Sequence, residues 1–188
     1  MAKRVKLMIV SVVVVAFAVP ALASAAPAIT DPPGTVLEKG KLLEMTSIGA
    51  VTVSTSLGKF SCPTWTWTMH VNANGGSTFQ LLGTGQGTSA NCTIGGKAAT
   101  GTDFTLTLIH SATVGSGTMN LTFHFDAPSG ITCHFASASV PFTYTAGGDV
   151  MKITNGDLVG TPAAACEPGL LNAEFTIETD GGGAVILD

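Results

Sequence analysis

Hydrophobic and polar residues alternate with a period of two along most of this chain, the mark of β-strands with one buried face. Trp65, Trp67, Met69 and Val71 fall on one side of such a run, with Thr64, Thr66, Thr68 and His70 on the other. Phe104, Leu106 and Leu108 share a face, as do Met119, Leu121, Phe123 and Phe125, which stand opposite Asn120, Thr122 and His124. Shorter runs lie at Val51 and Val53, at Val140, Phe142 and Tyr144, at Met151 and Ile153, and at Ala173, Phe175 and Ile177. Turn residues separate them: Asn72-Ala-Asn-Gly-Gly76, Gly115-Ser-Gly117, Asp126-Ala-Pro-Ser-Gly130, Ala146-Gly-Gly-Asp149 and the short-turn dipeptide Asn155-Gly156. Val36 and Leu37 are expected to pair with Leu42 to Met45 across the charged turn Glu38-Lys-Gly-Lys41. No ten-residue stretch after Ala25 has helical periodicity, and the wealth of Thr, Val and Gly suits strands. The prediction is an all-β chain of about ten to twelve short strands, folded as an antiparallel β-sandwich or a flattened β-barrel, both of which need this alternation.

The pattern occurs twice. Gly58-Lys-Phe-Ser-Cys62 opens a run that leads to Cys92, and Gly130-Ile-Thr-Cys133 opens a looser copy that leads to Cys166. A similar strand follows each second cysteine, Asp103-Phe-Thr-Leu-Thr107 in one copy and Glu174-Phe-Thr-Ile-Glu178 in the other. We read two pseudo-repeated units, roughly 51–114 and 118–180, inside a single domain spanning 34–188. The chain's four cysteines allow three pairings. Duplicated units most simply keep their own staples, which predicts Cys62–Cys92 and Cys133–Cys166, 30 and 33 residues apart. Zinc is the rival use of cysteines, but none of these spacings is a close Cys-x-x-Cys pair.

The first residues bear on the compartment. Lys3, Arg4 and Lys6 precede an apolar run from Leu7 to Val19, closed by Pro20 and by the small residues Ala21-Leu-Ala23 and Ala23-Ser-Ala25. This reads as a Sec-type signal peptide over 1–25, cleaved near Ala25. This run of 13 residues, apolar except for Ser11, falls short of the roughly 20 that cross a bilayer, so no transmembrane segment is expected after cleavage. Residues 26–33, with Pro27, Pro32 and Pro33, are expected to form a flexible Pro-rich lead-in. Removing 25 residues from 188 would leave 163, with five lysines against twelve acidic residues, a net charge of −7 and no arginine. Without a guanidinium fork or a basic cluster, neither nucleic acid nor an anionic membrane is an expected partner. An even number of cysteines in an exported chain reads as disulfides formed in an oxidising compartment.

Candidate chemistry is sparse. His70 and His124 fall on polar faces, His134 lies between Cys133 and Phe135, and His110 ends the Phe104 stripe, so solvated or packed histidines account for all four. If a metal is bound, His124 and His134 are the first candidates, since they sit on consecutive strands that can pair across the turn at 126–130. No Gly-x-Ser-x-Gly elbow is present and no serine is linked to a histidine. Sugar hydrolysis by paired carboxylates would have to draw on Asp103, Asp126, Glu174 and Glu178. No catalytic residue and no cofactor is predicted. Trp65 and Trp67, with Met69 beyond them, are either a binding face for sugar rings or an apolar ligand, or the thickest part of the core. Gly83-Thr-Gly-Gln-Gly87 lacks the helix and lysine of a phosphate loop. Asn91-Cys-Thr93 and Asn120-Leu-Thr122 fit the N-glycosylation pattern.

Through Gly34-Thr-Val-Leu37, Ser56-Leu-Gly58 leading to Cys62, and Gly130-Ile-Thr-Cys133, the whole mature chain resembles small exported actinobacterial β-rich proteins of uncharacterised function. That resemblance implies location and fold, not activity. The chain is also similar to chromoprotein apoproteins of the neocarzinostatin type, which are exported, acidic, Thr- and Gly-rich β-sandwiches with two disulfides, although those are shorter and have tighter disulfide loops. The expectation is an exported, non-enzymatic β-domain acting at or outside the cell envelope through surface contacts. The alternative is a carrier of a small apolar ligand or a sugar on the Trp65/Trp67 face.

Overall fold

The computed structural model describes residues 26–32, 34–127, 129–162 and 166–188. The expected signal peptide lies outside the described residues. The N-terminal part gives β1 (Ile29–Asp31), β2 (Thr35–Val36), β3 (Leu42–Ser47), β4 (Val51–Thr55) and β5 (Gly58–Cys62). Next come β6 (Thr64–Ala73), β7 (Phe79–Gly83), β8 (Thr88–Ala90), β9 (Thr93–Ile94) and β10 (Lys97–Ala98). The long strands β11 (Thr100–Thr113), β12 (Ser116–Asp126), β13 (Thr132–Tyr144), β14 (Val150–Thr161) and β15 (Gly169–Thr179) follow, and then β16 (Gly183–Ala184) and β17 (Ile186–Leu187). The described residues contain no helix.

Strands β3, β6, β7, β11, β12, β13, β14 and β15 pair antiparallel in that order, and β15 returns to β3 from Phe175↔Ser47 to Thr179↔Leu43. The ring is therefore closed, an up-and-down barrel of eight strands whose main ladder has no free edge. Of the two architectures that the alternation allows, this is the barrel. With eight strands the interior is just wide enough to be filled by side chains or to hold one small ligand. It is filled by Trp65, Trp67, Met69, Phe79, Phe104, Leu106, Leu121, Phe123, Phe135, Phe142 and Phe175, all buried. Each fully buried Phe or Met contributes on the order of 2 kcal/mol of transfer free energy. Outward positions on the same strands are Thr64, Thr66, Thr122, His124, Lys152 and Glu174, the reverse of a membrane-spanning barrel, which is apolar outside.

Both ends of the barrel are covered. At one end, β4 carries on the line of β3 along β15 (Thr52↔Asn172, Val53↔Leu171, Ser54↔Leu170), then folds back into β5, β9 and β10. Phe60 on β5 stacks on Phe125 with ring centroids 4.8 Å apart, and Cys62–Cys92 ties β5 to the chain just before β9. Cys133–Cys166 ties β13 to the segment before β15. Each bridge stays within its own half of the sequence, as the repeat predicts. The meanders β6–β7–β11 and β13–β14–β15 flank β12 in the ring.

The other end is capped by a small sheet in which β1 lies between β17 and β2. Here the segment expected as a flexible lead-in is built into the fold. Ile29 is fully buried, and Ala28 and Asp188 exchange both backbone hydrogen bonds, at 3.0 and 2.9 Å. Prolines on either side hold the chain extended, and Ile29 supplies the apolar anchor that composition alone conceals. Val36 pairs with Thr30 rather than with β3, because the loop after it binds the end of β6 instead: Gly40 N–H donates to Val71 O at 2.7 Å and Val71 N–H to Lys41 O at 2.9 Å. Asn155-Gly156 is not a turn but a bulge inside β14, where the register with β15 shifts between Ile153 and Gly156. Asn155 takes a φ of 51° there and donates its N–H to Asn172 Oδ1 at 2.9 Å.

Candidate functional site

The tryptophans belong to the core. Trp65 and Trp67 are each 1% exposed and Met69 is fully buried. Trp65 stacks on Phe104 at 4.4 Å and 17°, and Trp67 meets Phe104 at 4.2 Å and Phe175 at 5.4 Å, edge to face in both cases. Neither indole N–H has an oxygen or nitrogen acceptor, so the faces of neighbouring rings are the electron-rich groups around them. Hollows on the described surface are lined by other residues, such as Tyr144, Asp149 and Lys152, or Leu57, Ile94 and Lys97. The ligand face expected at Trp65, Trp67 and Met69 is thus turned inward. Every Phe, Tyr and Trp ring among the described residues is buried, so none of them offers an exposed face for a sugar.

The polar row on the outer wall is better organised. His124 and His134 are register partners on β12 and β13, with ring centroids 5.3 Å apart. On the other side of His124, its partner on β11 is Asp103, whose Oδ1 lies 2.5 Å from His124 Nδ1. The second carboxylate oxygen, Oδ2, accepts a hydrogen bond from Gln86 Nε2 at 3.1 Å. Gln86, Asp103, His124 and His134 therefore form one line across the sheet. His124 and Asp103 keep 29% and 37% of their side-chain surface, so the row is open to solvent.

Glycines put Gln86 in this line. A Cβ on Gly83 would lie 1.7 Å from Leu106 O, and one on Gly87 would lie 1.8 Å from the Phe104 ring. Only bare backbone can approach β11 that closely, so Gly83-Thr-Gly-Gln-Gly87 lies flat on the strand. Gly87 N–H donates to Phe104 O at 2.9 Å and Gln86 bridges to Thr105. The motif that fails as a phosphate loop serves to place one side chain.

The row holds and orients an imidazole. Among the described residues no hydroxyl bonds to either imidazole, while Thr161 Oγ1 donates to the backbone oxygen of His134. The other candidate carboxylates are dispersed. Asp126 accepts from Thr132 Oγ1 at 2.6 Å, Glu174 binds Lys152 at 2.7 Å, and Glu178 stands opposite Glu44. His70 faces Leu42 and Leu82, and His110 faces Thr118 and Gln80. No group of three or more His, Cys, Asp or Glu side chains among the described residues is placed to enclose a metal ion. No described helix is long and apolar enough to cross a membrane, and two closed disulfides fit an oxidising environment. No protein-family model, curated protein or solved structure matches the chain.

Proposed function

We propose that this protein is an exported, non-enzymatic β-barrel domain that works outside the cytoplasm, free or at the cell envelope, through contacts on its outer wall. The observation that carries the reading is the solid interior. With Trp65, Trp67 and Phe104 packed together and each 1% exposed, a partner is met on the polar exterior rather than in a lumen. Supporting it are the two disulfides, the signal-like start with small residues before Ala26, and hydrophilic outward positions along the long strands. The same burial argues against a carrier of an apolar ligand or sugar at Trp65 and Trp67.

Tryptophan fluorescence of the processed protein separates the two. Emission shielded from acrylamide and unchanged by long-chain fatty acids or by soluble oligosaccharides is the expected result. A saturable shift with either probe overturns the reading in favour of carriage. Expression with the complete N-terminus in an exporting bacterial host, followed by N-terminal sequencing of the protein outside the cytoplasm, tests export. A chain beginning at Ala26 is expected, and retention in the cytoplasm with an intact N-terminus contradicts it.

A further inference from the structure

We propose that His124 and His134 form an exposed site for one divalent transition-metal ion of the imidazole-preferring class, Zn²⁺ or Cu²⁺, and that Asp103, itself held by Gln86, orients His124 for it. The first argument is the spacing of the rings. A zinc–nitrogen bond of about 2.05 Å, plus about 1.2 Å from nitrogen to ring centre, puts each ring centre about 3.2 Å from the ion, so two rings at a tetrahedral angle stand about 5.2 Å apart. The observed separation is 5.3 Å. Opposed side chains on antiparallel strands stand about 5 Å apart in any case, so the pairing of His124 with His134 supplies a separation that a shared ion can use, and the support on His124 has to single it out.

The second argument is the carboxylate. An imidazole binds a metal through one nitrogen and is fixed through the other, commonly by donating that N–H to a carboxylate, which sets the tautomer and makes the free nitrogen a better donor. Asp103 Oδ1 at 2.5 Å from His124 Nδ1 is that arrangement, and it leaves Nε2 as the free nitrogen. Gln86 Nε2 on Asp103 Oδ2 then fixes the carboxylate in turn. A surface histidine with no task has no need of two successive supports, and glycines at 83 and 87 are required to bring the second one in. Two protein nitrogens leave the remaining positions to water or to a donor from a partner, so the ion is exchangeable and is not part of the fold's support. Imidazole ligands favour Cu²⁺ and Zn²⁺ over Mg²⁺ or Ca²⁺, which take oxygen.

Calorimetric titration of Zn²⁺ into the processed, disulfide-bonded, tag-free protein tests this. One saturable equivalent is expected. His124→Ala and His134→Ala should each abolish it, while His70→Ala and His110→Ala leave it unchanged. Asp103→Asn should weaken it by about 10- to 100-fold. In ¹⁵N spectra of the metal-free protein the same substitution should move His124 away from the Nδ1–H tautomer, a change that simple loss of stability does not produce. If a histidine variant loses its near-UV circular dichroism, the imidazole ¹⁵N signals of the unsubstituted protein decide instead. Both His124 and His134 must shift on adding Zn²⁺. The absence of a saturable equivalent, binding that survives both histidine substitutions, or binding lost with His70 or His110 overturns the site. Unchanged affinity in Asp103→Asn overturns the role given to the carboxylate.

Discussion

The side-chain amide of Asn74 binds both backbone groups of Ile29. Its Oδ1 accepts from Ile29 N–H at 2.8 Å and its Nδ2 donates to Ile29 O at 2.5 Å, with a further bond to Leu37 O at 3.0 Å. One side chain thus does for β1 what a neighbouring strand would do, and it fastens the small sheet of β17, β1 and β2 to the barrel. Asn74→Ala removes these bonds and leaves the Ile29 N–H unpaired, while Ile29 O keeps the Leu37 N–H, which should lower unfolding stability by about 2 kcal/mol. Chemical denaturation measures the loss, and amide exchange should quicken first at Ile29 and at Asp188, whose N–H donates to Ala28 O. A change below about 0.5 kcal/mol, within the range of an ordinary surface substitution, means that the amide does not hold the cap.

Fold class, barrel face and disulfide pairing are legible in the sequence because each rests on local pattern. A period of two decides which side chains point inward, and a repeat decides which cysteines share a half. The contact between Asp103 and His124 was not legible, for a reason that can be counted. Reading back from the hairpin pair Thr113↔Ser116 without interruption places Thr105 opposite His124. Two register shifts, between His110 and Thr113 and between Leu106 and Leu108, carry Asp103 there instead. One shift would turn the strand's outer residues inward, whereas two restore the face and change only the partner. Between the two shifts the face is reversed: Ile109 is buried and Leu108, expected to share the face of Phe104 and Leu106, is turned outward and half-buried, so both the alternation and the pairing inferred from it break there. His134, by contrast, lies below the shift in its own hairpin, so counting from Asp126↔Thr132 finds it opposite His124. The lead-in failed differently, since proline content reports stiffness but not whether a single Ile29 has a place in the core.

The approach of the 83–87 loop to β11 sets a steric test. At Gly87 an added methyl would meet the Phe104 ring at 1.8 Å, and that ring is pinned between Trp65 and Trp67. It has no room to yield. Gly87→Ala should cost about 1 to 3 kcal/mol by overpacking and should alter the near-UV circular dichroism of the tryptophans. It should also withdraw Gln86 from Asp103. A variant with unchanged stability and spectrum means that the loop stands off the strand.

Glu44 and Glu178 face each other on β3 and β15 at the seam where the barrel closes. Both are exposed, and like charges directly opposite one another on antiparallel strands repel by a few tenths of a kcal/mol. Glu178→Lys converts the repulsion into attraction with Glu44, and should raise stability by about 0.5 kcal/mol. Because the charges are in water, the gain should be largest at low ionic strength and shrink once the screening length falls to about 8 Å near physiological salt. Thermal melts of both proteins at low and high salt give the comparison. The control is Glu178→Gln, which removes the repulsion without adding attraction and should fall between the two. If Glu178→Lys melts at or below the temperature of the unsubstituted protein in low salt, the two carboxylates do not meet across the seam, and the closure of the ring between β15 and β3 has to be drawn differently.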